Sequence, residues 1–132
     1  PTAVEPRLFP ATSPNAIAGE CAIVYGMTGP SFAVSAGPGG AMEALARGVE
    51  LVSAADAERV VILAADDAGP VARELVARTG LAGRALEAGA VALLLAAEPS
   101  ASSFEIALDP PVDHARGPMG HLALLGWLQA RT

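Results

Sequence analysis

The sequence predicts an α/β fold, a mostly parallel sheet with flanking helices and an antiparallel edge, and three observations carry that expectation. Short apolar runs alternate along the chain with stretches of helical periodicity: residues 31–36 precede a helical pattern over 39–53, and residues 59–65 precede another over 70–79. The run RVVILAA over 59–65 is continuous rather than alternating, which suits a parallel strand buried on both faces. Residues 103–108 do alternate, with Phe104, Ile106 and Leu108 on one side, and read as an antiparallel or edge strand.

Residues 1–13 contain Pro1, Pro6 and Pro10 and form an irregular arm, because proline removes a backbone donor and disfavours helix at the preceding residue. Ser13 and Pro14 suit an N-cap and a first helical position, and the helix is expected to reach Tyr25 and stop at Gly26. Its stripe of Ile17, Cys21 and Val24 makes Cys21 a small buried hydrophobe; as the single cysteine it excludes an internal disulfide. Residues 31–36 are expected to form a buried strand. Gly37, Pro38, Gly39 and Gly40 then turn the chain into a helix on which Ala41, Ala44, Leu45, Val49 and Val52 recur at helical spacing. Glu43 and Arg47 lie on its outer face in the favourable i, i+4 order.

After the strand over 59–65 come Asp66 and Asp67, then an amphipathic helix over 70–79 through Val71, Leu75 and Val76, stopped by Gly80. Residues 83–87 carry no decisive pattern. GAVALLLAA over 89–97 reads as a buried strand, and beyond the edge strand a proline pair leads to Pro118 and a last helix carrying Leu122, Leu125 and Leu128. The organisation is therefore a single domain: an arm over 1–13, a core over 14–98, and an edge strand with C-terminal helix over 99–132.

Composition narrows the function classes. With 52% hydrophobic and 17% charged residues the chain is an ordered globular one, and with only 4% aromatics its core is packed from Ala, Val, Leu and Ile. The net charge is −6 and all eight positive charges are arginine, without the clustered basic residues that phosphate binding requires, so nucleic acid is excluded as a partner. No apolar run is long enough to span a membrane and no charged-then-apolar signal segment opens the chain, so the expected location is cytoplasmic.

The corner at Gly37, Pro38, Gly39 and Gly40 is the feature closest to chemistry. A strand-to-helix corner brings backbone N–H groups to a helix start, where unpaired donors and the dipole favour an anion or a developing oxyanion. No nucleophile stands on it. The stretch GPSFAVSAGPGGAMEAL, residues 29–45, resembles without gaps the nucleophile turn of the β-ketoacyl synthase branch of the thiolase-fold enzymes. In that family a Gly-Pro-Ser loop leads through a buried strand to a cysteine seven residues after the serine, where a buried helix begins; counted from Gly29, Pro30 and Ser31, that place is held by Pro38. Ser13, Pro14, Asn15, Ala16, Ile17, Ala18 and Gly19, with Ala22, Ile23, Tyr25 and Gly26, are similar to the segment preceding the loop.

The resemblance covers residues 6–53 well and the rest loosely. It implies half of a thiolase-like fold, lacking the family's first strand and helix. It also implies a dimer, because the strand of Ser31, Phe32, Ala33, Val34 and Ser35 pairs in the family with its twin across a two-fold axis. By the same resemblance Leu8 and Phe9 reach towards the partner's acyl channel; the alternative is that they staple the arm to the following helix. The implied partner is a ketosynthase subunit or a second copy of the chain, and an acyl carrier protein is a further possible partner, which would need a local arginine patch. No cofactor is implied.

Other constellations in the chain have rival chemistries. Asp66 and Asp67 at a strand end could hold Mg²⁺ or act as acid and base, or cap the helix opening near Gly69 and Pro70; the cap is favoured because no third carboxylate or histidine stands at metal-ligand spacing. Gly120, His121 and Leu122 followed by Gly126 resemble the family's second histidine motif, but lone histidines at helix starts are more often caps or packed side chains. His114 and His121 have no cysteine or carboxylate at zinc-ligand spacing. As a dinucleotide loop the corner fails at Met42, where the third glycine would fall, and the chain has no lysine to grip phosphate. Ser35 lies inside the expected strand with no histidine placed to activate it, nor Ser31 beside it.

The leading expectation is a non-catalytic, chain-length-factor-like subunit of a polyketide, polyene or fatty-acid-type system, without activity of its own. One alternative is an acyl-thioester hydrolase using the cysteine-free corner, with a water held by Asp66, Asp67 or His121. Another is a homodimeric scaffold.

Overall fold

Helix α2, Gly40–Ser53, carries the core of this mixed α/β chain. The computed structural model describes residues 6–8, 10–34, 39–79, 87–98 and 128. The chain divides into two units, Pro1–Ser35 and Ala36–Thr132.

In the second unit Ala41, Leu45 and Gly48 recur at i, i+4 and i+7 and are all buried, Leu45 completely, while Glu43, Arg47 and Glu50 occupy the exposed side. The buried side packs on a two-stranded sheet of β1, Arg59–Asp66, and β2, Gly89–Ala96. The strands run antiparallel, with Val60 opposite Leu95, Ile62 opposite Leu93 and Ala64 opposite Val91. These six side chains therefore share one face, and they pack in one cluster with α2. Helical Leu128 joins the same cluster. Gly48 sets how close helix and sheet come: a Cβ there would stand 2.9 Å from both Ile62 Cδ1 and Leu95 Cδ1.

The sheet corrects the sequence expectation in two ways. The described strands pair antiparallel instead of parallel, and each buries one face instead of two, leaving Val61, Leu63 and Leu94 49%, 51% and 61% exposed. The physical reason is that a continuous apolar run records that both faces can be buried; it records neither the direction of the neighbouring strand nor whether a second layer covers it.

Helix α3, Pro70–Arg78, follows β1 directly. Gly69, extended at φ −63° and ψ 172°, hands over to Pro70 at the first helical position, where a missing N–H is no loss. The helix ends at Thr79, whose Oγ1 donates to the Leu75 carbonyl at 2.9 Å. Glu43 and Arg47 lie on the exposed face of α2 as expected, and the hydrogen-bonded partner of Arg47 is Glu50, to whose Oε2 Arg47 Nη1 donates at 2.7 Å. Both i, i+3 and i, i+4 neighbours are within reach on a helix surface, and spacing alone does not choose between them.

The first unit contains two 3-10 turns, Pro6–Leu8 and Pro10–Thr12, each opening on a proline, and helix α1, Ala16–Tyr25. The helix starts two residues later than Ser13 and Pro14 suggest, with Asn15 at the N-cap, because the Ser13 carbonyl is already taken by the Ala16 N–H at 2.9 Å in a preceding turn. Its end falls at the expected Gly26, in the left-handed conformation at φ 64°. No residue of α1 is buried: Ile17 and Val24 are 69% and 70% exposed and Cys21 is half-buried, which corrects the buried stripe expected there. Residues 31–34 form neither helix nor strand, and Ser31, Phe32 and Ala33 are exposed. A strand exists only through bonds to a neighbouring edge, and none of the described residues supplies one. Ser35 and Ala36 lie outside the described residues.

Candidate functional site

The described part of the corner is its helical half. Gly39, at φ −89° and ψ −1°, precedes Gly40, the first residue of α2, and no side chain caps the helix there. Both glycines are half-buried, and the first turn is anchored through Ala41 and Leu45. The first turn of a helix has N–H groups without intrahelical partners, the arrangement that favours an anion, but Glu43 puts a negative charge on that same turn. Gly37 and Pro38 lie outside the described residues, as do Phe9, Ser35, His114 and His121. Leu8 closes the first 3-10 turn by its backbone.

The acidic pair sits at the junction of β1 and α3. Asp66 is the last residue of β1, opposite Gly89, and is half-buried. Asp67 is exposed, and its Oδ1 accepts the Gly69 N–H at 2.9 Å, a turn in which the carboxylate binds the backbone two residues on. A Cβ at Gly69 would stand 2.8 Å from Asp67 Oδ2, so a larger residue there would turn the exposed carboxylate aside. Arg73, which sequence reasoning did not single out, completes the junction by donating from Nε to the Ala68 carbonyl at 2.8 Å. No local signal marks that contact, because an arginine in the first turns of a helix ordinarily points to solvent. Asp67 therefore spends one oxygen on the turn that leads into α3, whereas α3 itself, with Gly69 at its N-cap, has no side-chain cap, so the helix-capping use expected of the pair is corrected to a turn before the helix. Among the described residues no group of three His, Cys, Asp or Glu side chains is placed to hold a metal ion.

One group on the surface of α2, Arg47, is held off its ordinary pKa. The hydrogen bond to Glu50, then the Glu50 charge, and more weakly the charge of Glu43, hold the Arg47 guanidinium above its ordinary pKa despite an opposing desolvation. Arg47 is exposed and charged at every working pH, so this marks a solvated helix face and no catalytic poise. An open groove of about 340 Å³ runs along α3 between Pro70, Val71, Glu74, Leu75 and Arg78. All five belong to one helix, so it is a surface furrow rather than an enclosed cleft.

The described residues thus define a mixed α/β chain with a helix-covered antiparallel ribbon and an uncapped helix start at a glycine pair. Among them no helix is long and apolar enough to cross a membrane. No protein-family model, curated protein or solved structure matches the chain.

Proposed function

We propose that the chain is a non-catalytic, ketosynthase-like subunit, similar in role to chain-length factors, built on half of a thiolase-like fold. It pairs with an active ketosynthase in type II polyketide, polyene or fatty-acid-type synthesis, where the acyl groups arrive on a carrier protein. The observation that carries this reading is positional: residues 29–45 follow the nucleophile turn without a gap, and the one chemically decisive place is occupied by Pro38. Helix α2 supports it. The helix after the corner begins at Gly40 and is buried through Ala41, Leu45 and Gly48, as the resemblance expects of the helix at that place. The thioester-hydrolase alternative draws less support, because Asp67 serves the turn before α3.

The test is to purify the chain with and without a co-expressed ketosynthase, weigh the complexes by native mass spectrometry, and offer each acyl- and malonyl-carrier proteins. The expected result is a heterodimer, with condensation only when the ketosynthase is present. Condensation by the lone chain overturns the reading, and a homodimer that ignores the ketosynthase replaces it with the scaffold alternative. Pro38→Cys sharpens the experiment: a thiol at a helix start has a lowered pKa and is expected to be alkylated by an acyl mimic faster than Cys21. The variant is expected to stay inactive in condensation, since of the family's two histidine motifs only the second has a faint counterpart in these residues, at Gly120, His121 and Leu122.

A further inference from the structure

We draw no further inference here: the strongest candidate, the exposed apolar outer face of the β1 and β2 sheet carrying Val61, Leu63 and Leu94, is an unpartnered surface, and nothing in the structure shows what covers it.

Discussion

Helices α1 and α2 end in the same way and differ in almost everything else. In both, a residue just past the last turn adopts the left-handed conformation and closes two backbone bonds: Gly26 and Met27 donate to Ile23 and Ala22, while Ala55 and Asp56 donate to Val52 and Leu51. Along their lengths they diverge. The α2 sequence separates apolar Ala41, Leu45 and Val52 from charged Glu43, Arg47 and Glu50, and it seats one side on the sheet. The α1 sequence, AIAGECAIVY, is apolar on every side with Glu20 its only charge, and it buries no residue. Amphipathic patterning tells a helix which side to bury; uniform apolarity asks for cover all round and names no direction. Ile23 at 80% exposed and Leu45 at 0% are the two extremes of that difference.

The comparison is broken most directly at those two residues. Leu45→Ala removes a fully buried side chain from the centre of the cluster. It is expected to destabilise the chain by about 2–5 kcal/mol, read as a lower urea midpoint. Ile23→Ala, made in the same chain, is expected to change stability by no more than about 0.5 kcal/mol. Equal losses would mean that α1 is covered in solution as fully as α2, and the contrast would fall.

Next in size is Gly48→Ala. The added methyl meets Ile62 Cδ1 and Leu95 Cδ1 at 2.9 Å, and both side chains are themselves buried with little room to swing away. Overpacking of about 1–3 kcal/mol outweighs the roughly 1 kcal/mol by which alanine favours a helix interior over glycine. A net loss of about 1 kcal/mol in thermal or urea unfolding is expected. A gain would show that α2 can ride further from the sheet at no cost.

The two helix ends provide a paired test of opposite sign. Ala55 holds φ 60° without being glycine, so Ala55→Gly relieves a left-handed strain of about 1–2 kcal/mol, less the larger freedom of glycine in the unfolded chain. A net stabilisation of about 0.5–1 kcal/mol is expected. Gly26→Ala introduces the same strain at φ 64°, where a Cβ meets nothing within 4 Å, so any loss is conformational and of similar size. Changes of the same sign at both ends would show that the two turns are not equivalent.

The smallest expected effect is at Glu50→Gln. The Arg47 pair is exposed on both sides, so removing the carboxylate leaves the melting temperature unresolvably changed at moderate salt. The sign of the pH dependence agrees. A folded-state pKa raised above its unfolded value contributes stability below the unfolded value and loses it only as pH rises through the folded one. For an arginine that window lies above any working pH, so no slope from this group is expected there.

Some of the candidate site was legible from local chemistry. The glycine pair Gly39 and Gly40 marked the start of α2 because glycines between an apolar run and a helical pattern punctuate the chain, and the structure starts the helix at Gly40. The place of the acidic pair at the turn into α3 was legible because Asp near a Gly-Pro step suits a turn, and Asp67 accepts the Gly69 N–H, but the helix cap expected of the pair is not formed. The clasp from Arg73 to the Ala68 carbonyl was not legible, since it depends on how α3 leaves the strand rather than on any residue pattern.

By itself the sequence determined what depends on near neighbours: the extents of α2, β1, α3 and β2 to within a residue or two, and the end of α1 at Gly26. Those features follow from periodicity, proline and glycine, which act over one or two turns of chain. The tertiary structure alone decided that β1 and β2 run antiparallel, that their α2-facing side is buried while Val61, Leu63 and Leu94 are exposed, and that residues 31–34 have no strand partner among the described residues. It also decided that Ala55 takes a conformation glycine usually supplies. The reason is that strand direction, burial and a tolerated backbone strain are set by segments distant in sequence, and an apolar run reads the same whichever neighbour it meets.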